Sequence, residues 1–224
     1  MKLPSNLLLL SRVLPLFAVV LLAGCSSPEE KAQSYYENGM KFLSQQDYVK
    51  AGIEFKNALQ NKKDLIGAWR GLLTIETHNN NLQGQVPILQ TIVELDPKDP
   101  DAKLRLGHLM LMGNQLDKAL ELTNAALALD DRNPNALAFR GAVQMKKRNF
   151  VEAKRDAQSA LDIDPKNVEA SIVLAGERMA SGDTEGALLI LDRPGVGHED
   201  DLAIQLLKLN VLEQRKDVKE AESL

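Results

Sequence analysis

Cysteine occurs once in the 224 residues, at Cys25, so no disulfide framework and no thiolate-based zinc site can form within the chain. Aromatic residues make up only 4%. The nine prolines and fourteen glycines are too few for a fibrous or disordered chain. There is no basic excess either: 27 Lys and Arg against 31 Asp and Glu leave a net charge of -4, which argues against nucleic acid as the main partner. Missing too are a phosphate-cradling glycine loop, a His-Glu-x-x-His helix and a Gly-x-Ser-x-Gly elbow. No long stretch alternates with period two, so strands are not indicated.

What is present begins with an unusual leader. Lys2 and Arg12 are the only charges before the apolar run from Val13 to Leu22. That run is about ten residues, short of the roughly 20 needed to span a bilayer, and it carries Pro15 near its start. A basic segment followed by a short apolar one is the pattern of a secretory signal peptide. It closes on Leu22-Ala23-Gly24-Cys25, followed by the polar residues Ser26 to Lys31. This resembles the bacterial lipobox, which implies lipidation of Cys25, removal of residues 1–24 and a polar tether over residues 25–31. Several acyl chains at about 0.8 kcal/mol per buried CH₂ would hold such a protein to a membrane. With Lys2 and Arg12 removed, the net charge of the remaining chain moves from -4 to -6. Ser26 stands where an Asp would retain an enteric lipoprotein at the inner membrane, so the resemblance implies a periplasmic protein anchored to the outer membrane.

A repeat organises the remainder. The segments beginning at Leu95, Leu129 and Ile163 read Leu-Asp-Pro-Lys-Asp, Leu-Asp-Asp-Arg-Asn and Ile-Asp-Pro-Lys-Asn, each 34 residues after the last. Extending this register divides the chain into units 32–65, 66–99, 100–133, 134–167 and 168–201, with a partial unit 202–224. Counting from each unit's first residue, a small residue falls at place eight in Gly39, Gly107, Gly141 and Ala175. Alanine falls at place twenty in Ala51, Ala119, Ala153, Ala187 and Ala221, and at place twenty-seven in Ala58, Ala126 and Ala160. Large apolar residues fill place seventeen in Tyr48, Leu82, Leu116, Phe150 and Val218. Gln46-Asp47, Asn80-Asn81, Gly113-Asn114, Asn149 and Gly182-Asp183 supply turn residues between two helices of one unit.

This pattern resembles the tetratricopeptide repeat, over residues 32 to 224. The resemblance implies an all-α, right-handed superhelix of helical hairpins that binds other proteins and does no chemistry. Three departures stand out. Unit two carries Leu73 and Gln85 where small residues are expected, and Pro87, tolerated if the helix starts near Gly84. Unit five has Pro194 followed by a loop containing His198-Glu199-Asp200, so its second helix is expected to end near Arg193. Unit six stops within a helix, from which the natural chain is expected to continue past Leu224, either as more repeats or as the catalytic domain of a longer enzyme.

In the family the inner face is lined by places two, five, nine, twelve and thirteen. That implies a partner groove containing Tyr36, Met40, Leu43, Arg70, Leu104, His108, Leu111, Met112, Met145, Ile172 and Met179. Only four of the 25 positions so defined are charged: Arg70, Asp101, Lys146 and Glu169. Met40, Met112, Met145 and Met179 are four of the five methionines after Met1, a flexible lining suited to apolar partners, although part of this stripe packs between units. The two-carboxylate clamp of chaperone-binding relatives is not implied, because Arg70 and Thr74, or Leu104 and His108, stand where it needs Lys and Asn. His78 and His108 also fall on the inner face, but two histidines without a third ligand make a weak site; no metal or other cofactor is expected. A polysaccharide ligand ranks last, since Tyr36 is the only aromatic of the inferred groove. The segments Glu29 to Met40, Ala51 to Leu59 and Ala68 to Leu72 look most like repeat lipoproteins of exopolysaccharide export and the PEP-CTERM system.

Overall fold

The computed structural model describes residues 27–193 and 201–215. Among them are eleven α-helices and no strands. The leader, Cys25, the His198-Glu199-Asp200 loop, Val218, Ala221 and the end of unit six lie outside the described residues.

The helices form successive antiparallel pairs: α1 Pro28–Ser44 with α2 Tyr48–Asn61, α3 Ile66–His78 with α4 Leu82–Leu95, and α5 Pro100–Met112 with α6 Leu116–Leu127. Then come α7 Pro134–Lys146 with α8 Phe150–Ile163, α9 Val168–Ala180 with the short α10 Thr184–Leu191, and finally α11 Leu202–Arg215. From α3 onward every first helix starts on the first place of the 34-residue register, and every second helix on its seventeenth. The first helix starts earlier. Ser27 accepts from the Glu30 backbone at 3.1 Å while Glu30 accepts from the Ser27 backbone at 2.9 Å, a capping box closed over Pro28. Residues 28–31, expected as tether, are therefore its first turn.

Each hairpin turns in the same way. Gln46, Asn80, Asn114, Arg148 and Gly182 occupy place fifteen and all have positive φ, from 52° to 82°. The amide of the next residue reaches back to a carbonyl five residues earlier: Asp47 to Phe42, Asn81 to Glu76, Gln115 to Met110, Asn149 to Gln144 and Asp183 to Arg178, at 2.8–2.9 Å. This double-bonded stop satisfies carbonyls that a helix end leaves orphaned. In the fourth unit the left-handed residue is Arg148, and the turn residue Asn149 stands at the N-cap position after it, because the geometry is fixed by distance from the helix end and not by which residue tolerates it best. The residue after the turn then caps the second helix: Asp47, Asn81 and Asp183 accept from the backbone three residues on.

Packing follows from small residues facing large ones. Ala51, Ala58, Ala119, Ala126, Ala153, Ala160 and Ala187 are at most 1% exposed. Phe55, fully buried, wedges between two glycines: a Cβ on Gly39 would lie 2.6 Å from its ring, and one on Gly71 2.4 Å. Gly71 thus supplies in unit two the close approach that Leu73, itself buried, cannot. Gln85 is buried too, its amide reaching the Glu76 carbonyl at 3.5 Å. Helix α4 begins at Leu82, two residues before Gly84, which puts Pro87 past the first turn. Its ring nitrogen cannot donate to the carbonyl four residues back, and the cap from Asn81 to Gly84 offsets part of that loss. Within unit four, Arg140 of α7 grips the buried Asp156 of α8 with two hydrogen bonds of 2.6 and 2.9 Å, and it reaches back to Asn124 of unit three at 3.3 Å.

Candidate partner groove

The first helices of successive units lie side by side, α1 against α3, α5 against α7, α7 against α9 and α9 against α11. The groove positions project from this row. Met40, Arg70, His108 and Met112 are exposed, Met112 to 68%. Tyr36, Leu43, Leu111, Met145, Ile172 and Met179 are half-buried, each with one flank against the core. Tyr36 lies across Gly67, where a Cβ would come within 2.9 Å of the ring. The Met145 Cε lies 3.3 Å from the position a Cβ would take on Gly176, so this methionine bridges α7 and α9.

Leu104 departs from the expectation. It is 8% exposed and belongs to the core. On α5 the buried arc is wide, taking in Ala102, Lys103, Leu104, Leu106, Gly107 and Met110, because α4, α6 and α7 all pack against this helix. Place five is likewise closed at Ala138, fully buried on α7.

The row is not uniform. Helices α3 and α5 do not approach each other closely along their backbones. Polar side chains span the seam: the Arg70 guanidinium reaches Asp96 at 3.2 Å and Asp99 at 2.9 Å, and Arg105 donates to Thr77 at 3.0 Å. Arg70 is therefore engaged within the fold and is not an open cation awaiting a ligand.

The two histidines do not meet. His78 stacks on Tyr48 with ring centroids 3.8 Å apart, and His108 lies over Phe139 at the same distance. His108 is exposed as a residue, but desolvation of the imidazole pushes its pKa below the ordinary value. Among the described residues no group of three or more His, Cys, Asp or Glu is placed to hold a metal ion. Near the other end, Glu169 of α9 is pushed up to about 7 by desolvation. It stands at place two of its unit, so its groove position was readable from the register; its burial was not.

The row thus opens on Tyr36, Met40 and Leu43 in unit one, turns polar in unit two with Arg70, Thr74 and Thr77, and is apolar again along Leu111, Met112, Met145, Ile172 and Met179. Such a surface can hold a peptide segment through apolar contact.

Comparison with known proteins places this architecture. A family model described as tetratricopeptide repeat matches residues 78–143. A protein CTR9 homolog from Arabidopsis thaliana is 44% identical over 62 residues, 28% of this chain and 6% of that protein. A cell division cycle protein 27 homolog from Caenorhabditis elegans is 30% identical over 82 residues, 37% of this chain and 10% of that protein. The chain thus spans a tenth or less of the length of the curated relatives it matches. Among solved structures, a tetratricopeptide repeat protein from Parabacteroides merdae superimposes with TM-score 0.74 at 18% identity, over 86% of this chain and 77% of that one. Pseudomonas aeruginosa pilF gives 0.64 at 14% identity, over 88% and 89%. YrrB, described as a TPR protein with an unusual peptide-binding site, gives 0.65 at 17%, over 83% and 92%. Helical pairs in a 34-residue register, the shared left-handed turn and these likenesses give the described residues the fold of a tetratricopeptide-repeat solenoid, the family model itself matching residues 78–143.

Proposed function

We propose that this protein is a lipid-anchored periplasmic scaffold that holds an apolar segment of another protein on the inner face of its solenoid. The observation that carries the reading is the apolar row on the first helices: Met112 is 68% exposed and Met40 42%, flanked by half-buried Leu111, Met145, Ile172 and Met179. Large apolar side chains held open on a rigid support are what a partner surface requires, and methionine adapts to varied apolar shapes. That YrrB, a solenoid of like fold, is described as having a peptide-binding site supports the same use of the architecture.

The anchor rests on the lipobox-like Leu22-Ala23-Gly24-Cys25 and the polar residues after it. The outer membrane is the destination we infer from Ser26 after the lipobox-like segment, and exopolysaccharide export or envelope assembly the setting, from the resemblance of residues 29–40, 51–59 and 68–72 to lipoproteins of that group. Among the described residues no helix is long and apolar enough to cross a membrane.

A photo-crosslinking residue in place of Met112, activated in cells, is expected to trap a discrete partner protein. Adding Met145→Glu should abolish the adduct and leave the helical circular dichroism unchanged. An adduct that survives Met145→Glu refutes the groove. The Cys25→Ala protein should move from the membrane fraction to the soluble periplasm; retention in the membrane refutes the anchor.

A further inference from the structure

Place twenty-one of the units holds Val86, Leu120, Lys154 and Leu188 in units two to five, but Gly52 in unit one. Val86 and Leu120 pack against the core and Leu188 is part of it. At Gly52 the corresponding volume is empty. A Cβ built there would meet nothing closer than Ile75 Cδ1 at 3.7 Å. The result is a cleft of about 320 Å³ between α2 and α3, floored by Leu72 and Ile75 and bordered by Val49 and Ile53. None of these residues occupies a groove position, so the cleft is separate from the inner face.

The cleft's border is unusually apolar for a surface. Val49 is 76% exposed and Ile53 54%. With Lys56 they form one stripe at spacings of four and three along α2, about 10 Å long at 1.5 Å per residue. At the same places the other units carry Gln83, Pro87 and Gln90, then Asp117, Glu121 and Asn124, then Val151, Arg155 and Gln158, then Glu185, Leu189 and Asp192, so two aliphatic residues stand together only in unit one. Unit one thus combines an unfilled core position with open aliphatic neighbours and a cation at the end of the α2 row, while Glu76 of α3 also lines the cleft.

We propose that this cleft is a second docking site, which takes the aliphatic face of an amphipathic helix from a partner protein, with a carboxylate of that helix meeting Lys56. The shape of the missing group is given by the repeat itself: the side chains that fill the equivalent place are those of Val86, Leu120 and Leu188. A helix is the occupant that matches the stripe, because residues at spacings of three and four on one helix present a row of the same length to another. Lys56 supplies the charge that sets the direction of the bound helix. The site does not depend on the inner groove being occupied.

The test pans a displayed library of helical peptides against the full chain, with Gly52→Leu as the counter-selecting variant. A leucine there fills the cleft from within without displacing backbone. Recovered peptides should carry two aliphatic residues one turn apart and an acid a turn further. They should bind the Gly52→Leu chain at least about tenfold more weakly, as the loss of one buried aliphatic side chain requires. Lys56→Glu should weaken them severalfold, and Met112→Glu should leave them unchanged. Val49→Asp, at a solvent-exposed position, gives the same loss by a change that the fold tolerates. No peptide distinguishing the wild-type chain from both Gly52→Leu and Val49→Asp overturns the proposal, as does a selection lacking the acid. Concentration-dependent dimers of the wild-type chain that vanish in both variants would make a second copy the occupant and overturn it as well.

Discussion

At Arg148 a side-chain-bearing residue holds φ 61°, the left-handed conformation that Asn80, Asn114 and Gly182 occupy more readily at the same place of their units. Its side chain is exposed, so replacement by glycine removes strain without removing packing. The left-handed conformation costs about 1–2 kcal/mol for a residue with a Cβ, and the added freedom of an unfolded glycine returns about 0.5–1. Arg148→Gly is therefore expected to stabilise the solenoid by roughly 0.5–1 kcal/mol in urea titration, and Asn114→Gly by less. Glu169 makes the opposite kind of test. Its carboxyl titrates near 7 when folded, above its ordinary 4.5, because burial disfavours the anion. Below the ordinary value both states are protonated and no penalty exists. As pH rises towards 7 the unfolded chain ionises freely and the folded one does not, so stability falls. Glu169→Gln should match the wild type at pH 4 and exceed it at pH 8 by at most about 3 kcal/mol, the equivalent of the shift. Equal stabilities at both pH values would show that the carboxylate is not desolvated.

Helix ends decide the elements, and two of them are poorly made. Asp47, Asn81 and Asp183 each accept from the backbone at the start of a second helix, while Gln115 and Asn149 at the same place make no such bond. The Asn149 side-chain amide is turned to Gln144 instead. A glutamine is one methylene too long to bend back onto its own helix, whereas an aspartate fits and adds negative charge at the positive end. Gln115→Asp should raise the unfolding free energy by about 1 kcal/mol, read by thermal or chemical denaturation. Helix starts were also the most legible feature of the sequence. The Pro100 and Pro134 starts, each after an Asp or Asn, announce a helix by chemistry that acts within a few residues. What stayed hidden depends on neighbours far along the chain. Leu104 carries the family's groove position, yet its burial comes from α4, α6 and α7 closing around α5. His78 and His108 share a face in the register, yet Tyr48 and Phe139 engage their rings. The void at Gly52 is visible only when the place is compared across units and the Ile75 floor is seen beneath it.

Across the whole molecule each unit touches only its neighbours, so stability is close to a sum of unit and interface contributions, and the weakest interface sets where the solenoid opens. That interface lies between units two and three. There the first helices α3 and α5 do not approach closely along their backbones and are linked by polar side chains, while α4 still packs on α5. Arg70 and Arg105 span the gap, and Arg70 alone engages two carboxylates, Asp96 and Asp99, the latter being the cap of α5. Each exposed ion pair is worth about 0–1 kcal/mol, but the three contacts act together at one seam where the backbones of these helices stand apart. Arg70→Ala with Arg105→Ala should therefore cost about 1–2 kcal/mol at the seam and little within the units on either side. Native-state hydrogen exchange reads this directly: amides of α3 and the start of α5 should exchange faster, ahead of those in α7 and α8, where Arg140 and the buried Asp156 tie the pair together. Uniform acceleration from α1 to α11 would mean that the solenoid opens as one cooperative body and that the seam is no weaker than the rest. Localised opening would instead give the inner face a hinge between its polar second unit and the apolar units after it, letting the Met112 to Met179 row adjust to a partner without unfolding the units that carry it.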